Sequence, residues 1–139
     1  MRKIAILLMA MLLLCASSAS AVDDWHQADS KTIAWDAATL ADGSPIPVGD
    51  SLDYNVYSRN EDGSNVTLLG TTNLLQYTIT IPVDTKLIVG VSARRTMADG
   101  TVTDWSTTNW SDDPTGNETG TFGVSNIRNA APPSGLRPQ

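Results

Sequence analysis

The 139-residue chain holds one cysteine, one histidine and one phenylalanine, and each scarcity removes a class of chemistry. Cys15 lies in an apolar N-terminal run, so nothing after residue 21 carries a thiol. Disulfides, thiol nucleophiles and cysteine-ligated metals are thereby excluded from the rest of the chain. A Ser-His-Asp triad or a zinc site would have to be built on His26 alone, close to an N-terminus, with no second histidine to help. No catalytic residue, no metal and no cofactor is expected. Carboxylates are plentiful but cluster in turn sequences (Asp42, Asp62, Asp99, Asp112, Asp113), where aspartate accepts local backbone hydrogen bonds. Nothing in the sequence places two of them across a cleft, as a glycosidase requires. After residue 21 there is no run of apolar residues long enough to span a bilayer and no sustained helical periodicity.

The beginning of the chain, MRKIAILLMAMLLLCASSASA, has the three parts of a secretory signal. Arg2 and Lys3 are basic, Ile4 to Leu14 are apolar, and Ala19-Ser20-Ala21 offers the small residues of a cleavage site. Residues 1–21 are therefore read as a cleaved signal peptide, with the mature protein secreted to the extracellular space or periplasm and not inserted in a membrane. A lipoprotein signal is disfavoured because Leu14, before Cys15, is large. Removal of residues 1–21 leaves 118 residues, enough for one domain with a core. It also leaves seven cations against fifteen acids, a net charge of −8. Nucleic acid and anionic lipid are poor partners for such a chain.

What remains is a series of short alternating runs between Gly/Asp/Asn clusters, the pattern of an all-β sandwich. TIAWD (32–36) puts Ile33 and Trp35 on one face, and LDYNVYSR (52–59) aligns Leu52, Tyr54 and Val56. Asp62-Gly63 is a hairpin signal leading to VTLLG (66–70). LQYTITI (75–81) alternates Leu75, Tyr77, Ile79 and Ile81. KLIVGVSARR (86–95) turns Leu87, Val89, Val91 and Ala93 inward and Ile88, Gly90, Ser92 and Arg94 outward. A closing strand is read in TVTDWST, after the Asp99-Gly100 turn. The predicted core is Ile33, Trp35, Tyr54, Val56, Tyr77, Ile79, Leu87, Val89 and Val91, with Trp35 central and opposite Val89 and Val91. The proline- and glycine-rich segment 37–51 is a loop. From Asp112 onward eight of 28 residues are Gly or Pro, so 112–139 is read as an extended tail, in which TFGVSNI (121–127) could add a short strand.

Trp35, Tyr54-Asn55-Val56, Leu87-Ile88-Val89-Gly90-Val91-Ser92-Ala93 and the Asp-Trp-Ser at 104–106 together resemble the fibronectin type III domain over residues 31–111. The resemblance implies an immunoglobulin-like β-sandwich of about seven strands, occupying 22–111. The chain departs from it at Leu87, where a tyrosine is usual, at Lys31, where strand B usually starts apolar, and in the extra residues PVGDSLD (47–53), which lengthen one loop. Ala98-Asp99-Gly100 stands where some such modules carry an integrin-binding Arg-Gly-Asp, so that activity is not implied.

WSTTNWS (105–111) is similar to the Trp-Ser-x-Trp-Ser box of cytokine receptors, with Thr108 and Asn109 as additions. The resemblance implies that outward arginines stack on the tryptophan, which points to Trp105, Trp110, Arg94 and Arg95 as a candidate binding surface. In a regular strand, residues five apart face opposite sides, so Trp105 and Trp110 share a face only across a bulge or bend. SRNEDGSNVTLL tracks a calcium loop at Ser58, Asn60, Asp62 and Gly63, but its twelfth position is Leu69. Three Asn-x-Ser/Thr sequons begin at Asn65, Asn109 and Asn117. The expectation is a secreted, non-enzymatic module that binds or adheres to a protein or glycan. The alternatives are a self-assembling structural subunit whose tail, Pro133 to Arg137, is donated as a strand beside strand B, and a hydrolase using surface carboxylates.

Overall fold

The computed structural model describes residues 22–117, 120–132, 134, 137 and 138. The expected signal peptide and residues Pro133, Gly135 and Leu136 of the tail lie outside the described residues. The described chain is all β, with eight strands: β1 (Asp24–Gln27), β2 (Ser30–Ala34), β3 (Ser51–Arg59), β4 (Thr67–Thr72), β5 (Gln76–Thr80), β6 (Lys86–Thr96), β7 (Asn109–Trp110) and β8 (Phe122–Ser125). They form two sheets. The larger runs β1-β8-β6-β3-β4, with β7 also paired to β6, and the smaller is β2-β5. β3 and β6 form the backbone of the larger sheet, antiparallel and in unbroken register from Ser51↔Thr96 to Arg59↔Ile88.

The two sheets share one core. Ile33 of β2, Ile79 of β5 and Ile81 beyond it meet Val56 of β3, Val89 of β6 and Val124 of β8. Val56 and Val124 are wholly excluded from solvent. Alternation explains this, because inward residues of a strand recur every second position and β-branched side chains fill the pleat. Tyr77 bridges the sheets, its hydroxyl donating to the Leu69 carbonyl at 3.1 Å. Tyr54 is buried, and its hydroxyl accepts the Ala38 N–H at 3.1 Å, tying the 37–50 loop to the core.

Several sequence expectations need correction. Trp35 is not the centre of the core. It sits just past the end of β2, half-buried, packing against the core cluster from its rim and edge-on to Tyr54 at 5.5 Å. Tyr77, Leu87 and Val91 are also only half-buried. Ile88, Gly90 and Ser92, assigned to the outward face of β6, are all buried, because that face is roofed by aromatic rings. The closing strand expected in TVTDWST is absent as a strand. Within it only the bridge Thr96↔Val102 is regular, and the two-residue β7 (Asn109–Trp110) follows it. The true closing strand is β8, inserted between β1 and β6 with Val124 in the core. A domain boundary at Ser111 therefore falls inside the packed sheet, and the tail begins only after Arg128, which is ion-paired to Asp84.

Three turns are built alike. In 40–44, 60–64 and 97–101 the first residue's N–H bonds the fifth residue's carbonyl, and the glycine's N–H returns to the first residue's carbonyl. The aspartate of each accepts from the backbone N–H two residues on. This is the local chemistry for which Asp-Gly-Ser/Thr sequences are suited.

Candidate functional site: a tryptophan-roofed face and an open-edged cleft

The segment 103–111 explains the roof. Thr103 brackets Arg95, donating its N–H to the Arg95 carbonyl at 2.9 Å and accepting the Arg95 N–H on its hydroxyl at 3.1 Å. Ser106 brackets Ala93 in the same way, at 2.8 and 2.9 Å. Ser111 brackets Val89, at 2.7 and 3.1 Å. In each case a hydroxyl replaces the carbonyl that a regular strand would offer. Asn109 lies opposite Val91. Three residues therefore advance along two of β6 between Thr103 and Ser106, and again between Ser106 and Asn109. Each extra residue acts as a bulge does and resets the alternation. That phase slip lets Trp105 and Trp110, five apart, lie over one face.

On that face the Arg94 guanidinium lies 4.5 Å from the Trp105 ring centroid, the Arg59 guanidinium 4.1 Å from Trp110, and the Lys86 ammonium 4.6 Å from Trp25. Arg59 is also held by both Asp112 oxygens at 2.9 and 3.0 Å, and Arg94 by Asp53 at 3.4 Å. Two glycines make room. A Cβ on Gly90 would lie 2.5 Å from the Trp110 ring, and one on Gly123 would lie 2.4 Å from Trp25. Each stack is worth about 0.5–2 kcal/mol, depending on how far it is dried. Arg95 does not belong to this face. The β3–β6 register turns it to the opposite side with Leu52, where its Nε meets Asp50 at 2.5 Å. The structure thus brings together Trp105, Trp110 and Arg94 of the sequence-derived surface, and adds Trp25, Arg59 and Lys86. All three rings are half-buried and engaged by the protein's own cations. They fasten a sheet face rather than present an empty platform.

The open chemistry lies on the other side. A cleft of about 500 Å³ is walled by Trp35 and Phe122, with Asp36, Asn109 and Asn117 at its rim. The Asn117 amide nitrogen donates to the Trp110 and Asp113 carbonyls at 2.9 and 2.6 Å, and that of Asn109 to the Gly116 carbonyl at 3.2 Å. The Trp35 indole N–H is buried and has no partner, and an unmet buried donor costs about 1–3 kcal/mol. The cleft runs beside β2, which pairs with β5 alone. Trp35 donates to Leu75 and Ile81 donates to Asp29, so the odd-numbered residues of β2 serve β5. Thr32 and Ala34 then direct their N–H and C=O groups to the edge that no described strand occupies. A second cavity, about 310 Å³, lies between the 38–46 loop and residues 103–106.

The carboxylates are structural in their surroundings. Asp42, Asp62 and Asp113 are held below their ordinary 3.8 by the hydroxyls and N–H groups of Ser44, Ser64 and Thr115. The Thr101 N–H lowers Asp99 and the Thr121 N–H lowers Asp23, each helped by the threonine hydroxyl. Asp84 is lowered by the Arg128 guanidinium. Asp62, the centre of the calcium-like sequence, is taken by Ser64 at 2.9 Å from the N–H and 2.5 Å from the hydroxyl. Among the described residues no group of three or more His, Cys, Asp or Glu side chains is placed to share a metal ion.

Neither a family model nor a curated protein matches the chain.

Proposed function

We propose that the chain is a secreted, non-enzymatic binding module with a fibronectin type III-like, immunoglobulin-type sandwich, engaging a protein or glycan for adhesion. The cleft beside β2, rather than the tryptophan face, is its ligand seat. The observation that carries this reading is the buried Trp35 indole N–H, unpartnered at the wall of a 500 Å³ cleft. A ligand that shifts the Trp35 ring would give this N–H a carbonyl or hydroxyl partner, while Trp35 and Phe122 supply apolar contact. Asp36 is the one carboxylate among the cleft's described lining residues, whereas glycoside hydrolysis uses two across the scissile bond. That favours binding over turnover. The test is a screen of the purified chain on glycan and peptide arrays, repeated with Trp35→Phe and Trp105→Ala. Trp35→Phe should weaken binding about tenfold, the equivalent of one charge-neutral hydrogen bond, with little change in melting temperature. Trp105→Ala should retain binding. Equal binding by wild type and Trp35→Phe would overturn the assignment of the cleft.

A further inference from the structure

We infer that the occupant of the β2 edge is an extended strand donated by the C-terminal segment, residues 129–139, of a second copy of this chain. The inference deepens the proposed role of the cleft and rests on it. Four observations support it. First, the free edge is made of backbone: Thr32 and Ala34 each direct an N–H and a C=O away from β5. Such a row is matched by another main chain better than by a small ligand. Second, Trp35, which follows Ala34 and lines the cleft, holds a buried indole N–H with no partner.

Third, charge selects the segment. Residues 22–125 carry five Lys/Arg against fifteen Asp/Glu, whereas residues 126–139 carry Arg128 and Arg137 and no acid. The molecule is thus an acidic body with a cationic end, and two copies attract tail to body. Fourth, the segment is long enough and correctly punctuated. Eleven residues at about 3.3 Å each reach about 36 Å, roughly twice the length of β2. Asn129 to Pro132 are exposed. Pro132, Pro133 and Pro138 lack N–H groups, but the four residues between Pro133 and Pro138 keep theirs. Leu136 is the segment's large apolar residue, matching the apolar Trp35 and Phe122 of the cleft in chemistry, and Arg137 carries the charge that complements Asp36. Donation from copy to copy is a heterologous contact that does not close, so it builds open filaments.

The test uses the chain purified without residues 1–21, since all eight strands lie beyond them. Sedimentation across a hundredfold concentration range should show growing assemblies, and amide exchange at Thr32 and Ala34 should slow with assembly. Leu136→Asp should return the protein to monomer. So should Ala34→Pro, which removes an edge N–H without touching the β5 ladder, and its melting temperature should confirm folding. A monomer at every concentration would overturn the inference, as would assemblies that survive both substitutions. Slowed exchange in a monomer, lost in Leu136→Asp, would show the strand folding back on its own body and would overturn donation between copies. Binding of an array ligand through Trp35 by a chain that never assembles would leave the cleft reading standing and this one refuted.

Discussion

Replacing Gly90 with alanine adds one methyl to the centre of β6, and the structure sets its cost. The new Cβ would lie 2.5 and 2.8 Å from atoms of the Trp110 ring and 2.6 Å from the Thr108 methyl. Real Cβ atoms do not approach so closely, so the ring must lift. The ring cannot lift freely, because Trp110 carries the Arg59 stack at 4.1 Å and Asn117 and Asp113 bond its carbonyl. Overpacking of this kind costs about 1–3 kcal/mol, and loss of the stack adds about 0.5–2 kcal/mol. The expected total is roughly 1.5–5 kcal/mol, a large share of the stability of a small domain. The assay is urea unfolding followed by tryptophan fluorescence, for Gly90→Ala, Trp110→Ala and the double variant. If the clash with the ring is the cause, the double variant costs clearly less than the two single costs combined. A Gly90→Ala variant within 0.5 kcal/mol of wild type, or strictly additive costs, would refute the argument.

Two further outcomes follow from the same surface chemistry. Ser111→Ala leaves the buried Val89 N–H without its acceptor and should cost about 1–3 kcal/mol, while Ser106→Ala, at an exposed bracket, should cost less; urea midpoints of the pair decide this, and equal costs would contradict the burial argument. The depressed carboxyls of Asp23, Asp42, Asp62, Asp84, Asp99 and Asp113 contribute stability that is fully present above 3.8 and is lost as the pH falls through their lower folded values. Urea midpoints should therefore be level from pH 7 to 5 and drop below pH 4, and a midpoint rising between pH 5 and 3 would refute that sign.

Alternation made the inner face legible. Ile33, Tyr54, Val56, Ile79 and Val89 are buried where a period of two places them, because each lies in a strand with one face on the core. The outer face of β6 was misread for a physical reason. Periodicity within a strand reports the partner it packs on, but it is silent about a segment that crosses above it irregularly. Residues 103–111 are such a segment, and their hydroxyl brackets leave no alternating trace. A local signal did exist: Gly90 and Ser92 are small, and a glycine inside a strand marks close approach by another group. Gly123 says the same of Trp25. β8 was legible as a short strand in TFGVSNI, but its place in the packed sheet was masked by composition, since Gly116, Gly120 and Gly123 around it imitate a linker. The cleft was not legible at all. It exists because β1 pairs with β8 and leaves β2 an edge, and strand partnership across nearly the whole chain is not written in any local window.

The β1–β8 pairing also governs when the molecule can become itself. Its two strands run parallel, with Asp24 opposite Phe122. The surrounding bonds from Asp23 to Thr121 and from Gln27 to Ser125 each join residues 98 positions apart. Local hairpins such as β3–β4 can form as soon as their residues exist, whereas this closure waits for the last strand. Val124, the residue that completes the core, arrives with it. Contacts of such separation slow folding, because the chain entropy of the long loop is spent before any contact returns it. A chain emerging N-terminus first therefore cannot complete its core until Ser125 is free to pair.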